Sequence, residues 1–132
     1  MIKGIHHVSM KCETPEEVSR VKEFYLDVLE LSILREWSEG FMIDTGNGLI
    51  EVFTNGNGEH HKGIIRHIAL LTDDVDEITD RVKAAGYDVF IEPNNLIIDS
   101  SPEYPVRMAF CHGPLGEEIE FFSELKEMRK GV

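Results

Sequence analysis

The sequence predicts an α+β fold of two tandem βαβββ modules, forming a cup-like mixed sheet around a metal site. Three observations lead there. Strand-like stretches with two-residue alternation outnumber helical ones, and only two long segments carry apolar residues at helical spacing. The order strand, helix, three strands occurs twice. Each copy opens on a histidine-bearing strand and closes on a glutamate-bearing one: His7 in HVSMKC with Glu51 in LIEVF, then His67 in HIALLT with Glu120 in EIEFF. The histidines lie 60 residues apart and the glutamates 69, so one half-domain is written twice.

The first module, residues 1–54, begins with a strand over Ile5 to Cys12. His7, Ser9 and Lys11 share one face, while Val8, Met10 and Cys12 form an apolar row on the other. A helix follows, with Thr14 as N-cap, Pro15 in the first turn and Glu17 completing a capping box. Val18, Val21, Tyr25 and Val28 form its apolar stripe, widened by Phe24 and Leu29. Three short strands are expected around Leu31 to Arg35, Phe41 to Asp44 and Leu49 to Thr54, with Asn47-Gly48 as a hairpin turn. The polar, glycine-rich NGNGEHHKG, Asn55 to Gly63, is the joint.

The second module, residues 64–124, restarts the pattern with a strand over Arg66 to Thr72. Asp74 and Glu77 mark a helix start; Val75, Ile78, Val82 and Ala85 give the stripe, and Gly86 ends it. Arg20-Val21-Lys22 and Arg81-Val82-Lys83 match across the modules. Tyr87 to Glu92, Val106 to His112 and Glu118 to Ser123 read as strands, and Glu124 to Lys130 as a short terminal helix. Each amphipathic helix covers one sheet face and leaves the other to line a concavity, and strand phase puts His7 and His67 on that open face.

A chain of 132 residues with 42% hydrophobic content fits one domain, or two halves sharing a core. The net charge of −12 and the lack of a basic cluster argue against nucleic acid, because binding there rests on cations neutralising phosphates. No apolar run reaches bilayer-spanning length, and MIKGIHH lacks a signal-peptide layout, so a cytoplasmic protein without a membrane partner is expected. Cys12 and Cys111 are too few for a disulfide scaffold and read as reduced thiols. A small-molecule substrate fits this composition.

Glu51 interrupts Leu49, Ile50, Val52 and Phe53; Glu120 interrupts Ile119, Phe121 and Phe122. A carboxylate in such company is costly unless a cation compensates it. Two imidazoles and two carboxylates make a mixed nitrogen and oxygen ligand set for one divalent metal, with His7, Glu51, His67 and Glu120 as the candidate ligands. His6 has the wrong strand phase and would point towards the helix. Glu118 shares strand phase with Glu120 and remains its rival, although Glu120 stands in the same context as Glu51. His60 and His61 in the joint are expected at the surface, with a lid or surface-metal role as the alternative. Cys12 belongs to the core row, and nothing pairs Cys111 with a base. Trp37 and Phe41 are candidates to wall a pocket or to pack. Arg35, Arg66 and Arg107 could grip a substrate carboxylate or be plain surface charges.

GIHHVSMKC, EFYLDVLEL, GLIEVF, IRHIALLTDDVDEI and GPLGEEIEFF together resemble the vicinal oxygen chelate superfamily, which includes glyoxalase I, bleomycin-resistance proteins, extradiol dioxygenases and methylmalonyl-CoA epimerases. The resemblance covers essentially the whole chain. Glu30 stands where the family usually has glycine, and Gly113 replaces an aspartate; neither is a ligand position. The resemblance implies one metal ligand from each of four strands, mapping onto His7, Glu51, His67 and Glu120. A carboxylate at position 51 is similar to glyoxalase I, whereas the epimerases typically carry an amide there.

A glyoxalase I-like lyase is therefore the expected activity, converting the hemithioacetal of a 2-oxoaldehyde such as methylglyoxal and a thiol to a 2-hydroxyacyl thioester. The resemblance makes Glu120 the base, with Glu51 as the candidate partner on the other side, and implies one nickel, cobalt, manganese or zinc ion and a homodimer. The alternatives are another metalloenzyme of the superfamily (epimerase, dioxygenase or thiol transferase) and a non-enzymatic small-molecule-binding protein.

Overall fold

The computed structural model describes residues 1, 3, 5–56, 60, 67–100 and 102–125. It divides into two compact units, Met1–Lys62 and Gly63–Val132. Each is a four-stranded mixed sheet with one helical segment, the α+β organisation that the sequence pattern predicts.

The first unit runs β1 (His7–Lys11), α1 (Pro15–Lys22), β2 (Ser32–Trp37), β3 (Gly40–Asp44) and β4 (Leu49–Phe53). Its strand order is β1-β4-β3-β2, with β1 parallel to β4 and the other pairs antiparallel. Thr14 caps α1 by accepting the Glu17 amide at 3.2 Å, and Glu17 reaches back to accept the Glu13 amide at 2.6 Å. Val21, Phe24, Tyr25, Phe41, Ile50 and Val52 are buried. Each such side chain contributes about 1.5–3 kcal/mol by leaving water. The Tyr25 hydroxyl lies 3.9 Å from the Met10 sulfur, and the Lys22 ammonium sits 5.1 Å above the Phe41 ring. The apolar row of β1 and β3 thus faces the helix.

The second unit runs β5 (Ile68–Leu71), α2 (Val75–Ala84), β6 (Val89–Ile98), β7 (Tyr104–His112) and β8 (Glu118–Glu124). Its order, β5-β8-β7-β6, repeats the first, again with one parallel pair at the opening strand. The repeat extends to single backbone groups. Ser9 pairs with Glu51 as Ala69 pairs with Glu120, and the Cys12 amide donates to Phe53 O as the Thr72 amide donates to Phe122 O, both at 2.9 Å.

Five local features depart from the sequence reading. Helix α1 does not stay α-helical: Glu23–Val28 is a π-helical segment, with the Leu29 amide reaching Phe24 O five residues back at 2.9 Å. It closes on Glu30, whose φ of 58° is left-handed, at the position where the sequence resemblance leads one to expect glycine. In α2 the buried stripe is Val75, Thr79 and Val82, while Ala85 is exposed; Thr79 can be buried because its hydroxyl donates to Val75 O at 2.7 Å. The β3–β4 turn spans Thr45 to Gly48, and its left-handed residue is Gly46 (φ 110°) rather than Asn47-Gly48. Finally, β6 does not stop at Glu92 but continues past Pro93 to Ile98, because a register shift between Ile91 and Asn94 spans the proline and spares the ladder its missing N–H.

At the end of the chain β8 continues through Glu124; of the helix expected over Glu124 to Lys130, residues 126–130 lie outside the described residues. No described helix is long and apolar enough to cross a membrane.

Candidate metal centre

Paired residues in parallel strands share a face, so Glu51 lies with Ser9 and, two residues back along β1, with His7. The result is a His7 Nε2 to Glu51 Oε1 separation of 3.4 Å, with the imidazole 37% and the carboxylate 14% exposed. The second unit builds the same object. His67 Nε2 lies 3.3 Å from Glu120 Oε1, at 38% and 12% exposure. Two pairs of such similar separation and exposure follow from one register used twice, since His67 precedes Ala69 by the same two residues.

Both separations exceed the 2.7–2.9 Å of a charge-assisted hydrogen bond. Two ligands at about 2.0–2.2 Å from one metal stand about 3 Å apart at right angles and further apart at wider angles, a spacing that each pair also fits. Each pair offers one imidazole nitrogen and one carboxylate oxygen, a donor set suited to a divalent transition metal. Among the described residues no three or more His, Cys, Asp or Glu side chains gather to hold an ion. Each unit brings one histidine nitrogen to one glutamate oxygen.

The surroundings of the two pairs differ. Beside the first, His6 Nδ1 lies 3.0 Å from His7 Nδ1 and the rings meet edge to face. His6 precedes β1, so strand alternation does not govern it. It is exposed and turns to His7, not to the helix as strand phase suggests. A contact at Nδ1 orients the ring and leaves Nε2 on the side of Glu51. Met42 lies opposite Glu51, and Trp37 packs edge to face on Phe53, two residues along β4 from Glu51. Trp37 therefore belongs to the open face, whereas Phe41 is buried beneath Lys22.

Beside the second pair stand aromatic rings. Phe110 lies opposite Glu120 and meets the His67 ring edge to face at 5.1 Å. Burial pushes the Glu120 carboxyl above its ordinary range, with the nearby His67 opposing the shift. The rival Glu118 lies opposite His112, and it is Glu120 that approaches His67. The sequence alone does not single out His112: its Nδ1 lies 2.8 Å from Asp88 Oδ2, and the signal that could have found it is its phase with Phe110 on β7.

Arg35, the cross-strand partner of Met42, shares the face that carries Glu51, and the other described candidates lie elsewhere. Arg107 faces α2, donating to both Asp76 oxygens at 2.7 and 2.8 Å and to Asn95, which holds the Asp76 carboxyl below its ordinary range. The Arg35 guanidinium approaches the Met42 sulfur at 3.2 Å. His60 lies 3.0 Å from Glu17, whose carboxyl is held low first by the Glu13 amide and then by His60. Cys12 and Cys111 are fully buried, and burial pushes the Cys111 thiol up to about 12. Arg66 and His61 lie outside the described residues.

A family model described as the glyoxalase/bleomycin resistance protein/dioxygenase superfamily matches residues 4–121. No curated protein sequence matches the chain. Among solved structures, a proposed glyoxalase family protein from Bacillus anthracis superposes with a TM-score of 0.72 at 20% identity, covering 95% of this chain and 98% of that one. The protein SMU.1112c superposes with a TM-score of 0.71 at 21% identity, covering 92% and 99%. A glyoxalase/bleomycin resistance protein/dioxygenase from Alicyclobacillus acidocaldarius gives 0.67 at 13% identity, covering 95% and 94%. At these identities the structural likeness speaks to the fold alone, and the family model carries the assignment. The chain belongs to the glyoxalase/bleomycin resistance protein/dioxygenase superfamily.

Proposed function

We propose that the protein is a metal-dependent, glyoxalase I-like lyase that converts a 2-oxoaldehyde–thiol hemithioacetal to a 2-hydroxyacyl thioester. The observation that carries this reading is the matched pair of half-sites, His7/Glu51 and His67/Glu120, with Nε2 to Oε1 separations of 3.4 and 3.3 Å. In this reading the four side chains hold one divalent ion, within one chain or shared between two copies of a homodimer. The glutamate at position 51, by resemblance, favours this chemistry over that of the epimerases.

A divalent ion held there supplies Lewis-acid stabilisation of the negative charge that develops on adjacent substrate oxygens. The chain's own residues do the rest. Glu120 takes the proton from the sulfur-bearing carbon, breaking that C–H bond, and returns it to the neighbouring carbon, while the hydroxyl proton of the first carbon passes to the neighbouring carbonyl oxygen. One carbon is oxidised and the other reduced by the same electron pair, so no outside oxidant is needed. Positioned proton transfer of this kind contributes about 10²–10⁴-fold. His67, edge-on against Phe110, holds its ring beside the Glu120 oxygen. Glu51 is the carboxylate of the opposite half-site and the candidate second base.

The test is direct. Metal-stripped protein is reloaded with nickel, cobalt, manganese or zinc in turn and given methylglyoxal with a thiol. Thioester formation with at least one ion is expected; none with any ion and any thiol overturns the activity.

A further inference from the structure

The second unit holds a second histidine–carboxylate pair on the face that carries Glu120. His112 Nδ1 lies 2.8 Å from Asp88 Oδ2, and the His112 amide donates to Asp88 O at 2.9 Å, so ring and backbone are both fixed by one residue. The Phe90 ring stacks on the His112 imidazole at 4.3 Å and 25°. Phe90 also contacts Phe110 at 5.6 Å, and Phe110 contacts His67 at 5.1 Å. Four rings therefore run without a break from the His67/Glu120 pair to the Asp88/His112 pair.

The register places the two ends. Phe110 pairs with Glu120 and His112 with Glu118, so His112 is the diagonal neighbour of Glu120. Diagonal partners in an antiparallel pair stand roughly 7–8 Å apart, their Cβ atoms somewhat closer. That gap suits a short substrate tail.

The chemistry of the far end follows from its partner. An ionised carboxylate only accepts, so the proton between the two groups sits on His112 Nδ1. In the neutral ring the lone pair is then on Nε2, at the edge away from Asp88. With Phe90 covering one ring face, that edge is the polar feature the ring offers, and the side chain is 38% exposed. Glu118 stands opposite His112 and Asp88 beside it, and the chain carries a net charge of −12, so an anionic tail is disfavoured.

We propose that His112 is a substrate-binding residue whose Nε2 accepts a hydrogen bond from a hydroxyl or N–H donor on the tail of the substrate. Phe90 and Phe110 pack the tail's apolar stem, and Asp88 is the positioning residue that fixes the His112 tautomer. The choice of a thiol-derived tail rests on the lyase reading; the donor-binding role of His112 does not.

The experiment has two arms. In the first, hemithioacetals of methylglyoxal with 2-mercaptoethanol and with 1-propanethiol, which exchange a hydroxyl for a methyl group, are compared as substrates of the metal-loaded protein. Wild type is expected to favour the hydroxyl adduct in kcat/KM by about tenfold, the worth of one hydrogen bond. His112→Phe, which keeps the stack on Phe90, should bring the ratio to about one, and Asp88→Ala should reduce it. A wild-type ratio of one, or a preference that survives in His112→Phe, overturns the proposal.

In the second arm the metal-free protein is titrated with phenol and with toluene while the histidine ring nitrogens are followed by ¹⁵N NMR. Phenol should shift His112 Nε2 and toluene should not; equal or absent shifts overturn the donor role. If wild type forms no thioester from either adduct, the lyase reading fails, and this arm alone decides the role of His112.

Discussion

The two units use one backbone register to bring a histidine to a glutamate, and then surround the pair differently. In the first, the histidine leans on a second imidazole, His6, and Met42 faces the glutamate. In the second, the histidine leans on Phe110, and a row of rings leads away to His112 and Asp88. The repeated part is set by strand pairing, which fixes where Cβ atoms point. The divergent part is set by side chains free to differ without moving the backbone. Both halves keep the donor pair. In the proposed lyase, what each half changes gives it a role of its own, with ligand holding in the first and substrate contact and proton transfer in the second.

The sharpest way to break that division is to neutralise each carboxylate alone. Glu120→Gln should lower kcat by about 10²–10⁴-fold in the best-loaded metal form, because an amide cannot carry the proton. Glu51→Gln should cost less in kcat and more in metal affinity. Equal losses in kcat from both variants would show that the halves share the chemistry, and a larger loss from Glu51→Gln would reverse the assignment.

A smaller effect separates the helix ends. The first helical segment closes on Glu30 at φ 58° and the second on Gly86 at φ 90°. Left-handed backbone costs a non-glycine residue about 1–2 kcal/mol. Glu30→Gly should therefore stabilise the protein by about 1 kcal/mol in urea unfolding, and Gly86→Ala should destabilise it by a similar amount. A destabilising Glu30→Gly would mean that its side chain contributes more than its backbone costs.

Smallest is the link between α2 and its sheet through Arg107 and Asp76, for which the first unit uses Lys22 over Phe41. Arg107 holds the Asp76 carboxyl below its ordinary range. A lowered folded-state value contributes stability above the unfolded pKa, and that contribution is lost as pH falls through the folded value. Both groups are solvent-screened, so Arg107→Ala should cost about 0.5 kcal/mol at neutral pH. The difference from wild type should shrink as pH falls below about 4. A pH-independent difference would assign the effect to packing.

The parts of the molecule legible in the sequence are those with half-buried periodicity. The openings of both units, the capped helix starts at Thr14 and Asp74, and the glutamate strands all alternate or repeat at spacings that burial imposes. Less is legible where burial does not set the pattern. Strand β6 is largely exposed and contains Pro93-Asn94-Asn95, which reads as a break until the register shift that spans the proline is seen. The π-helical widening leaves no mark, since Phe24 and Tyr25 satisfy either helix. His112 and Asp88 are 24 residues apart and meet only because β6 and β7 pair, so no local motif could join them. His6 escapes because strand alternation does not hold one residue before the strand begins.

In the proposed lyase both half-sites bind one ion together. Metal-binding calorimetry on stripped protein, with elemental analysis of the product, tests it on wild type, on His7→Ala/Glu51→Ala and on His67→Ala/Glu120→Ala. The account predicts one ion per chain for wild type and a loss of about a hundredfold or more in affinity for either double variant, since each removes half of the ligands. Wild-type affinity in either variant, or two ions per chain, would contradict it.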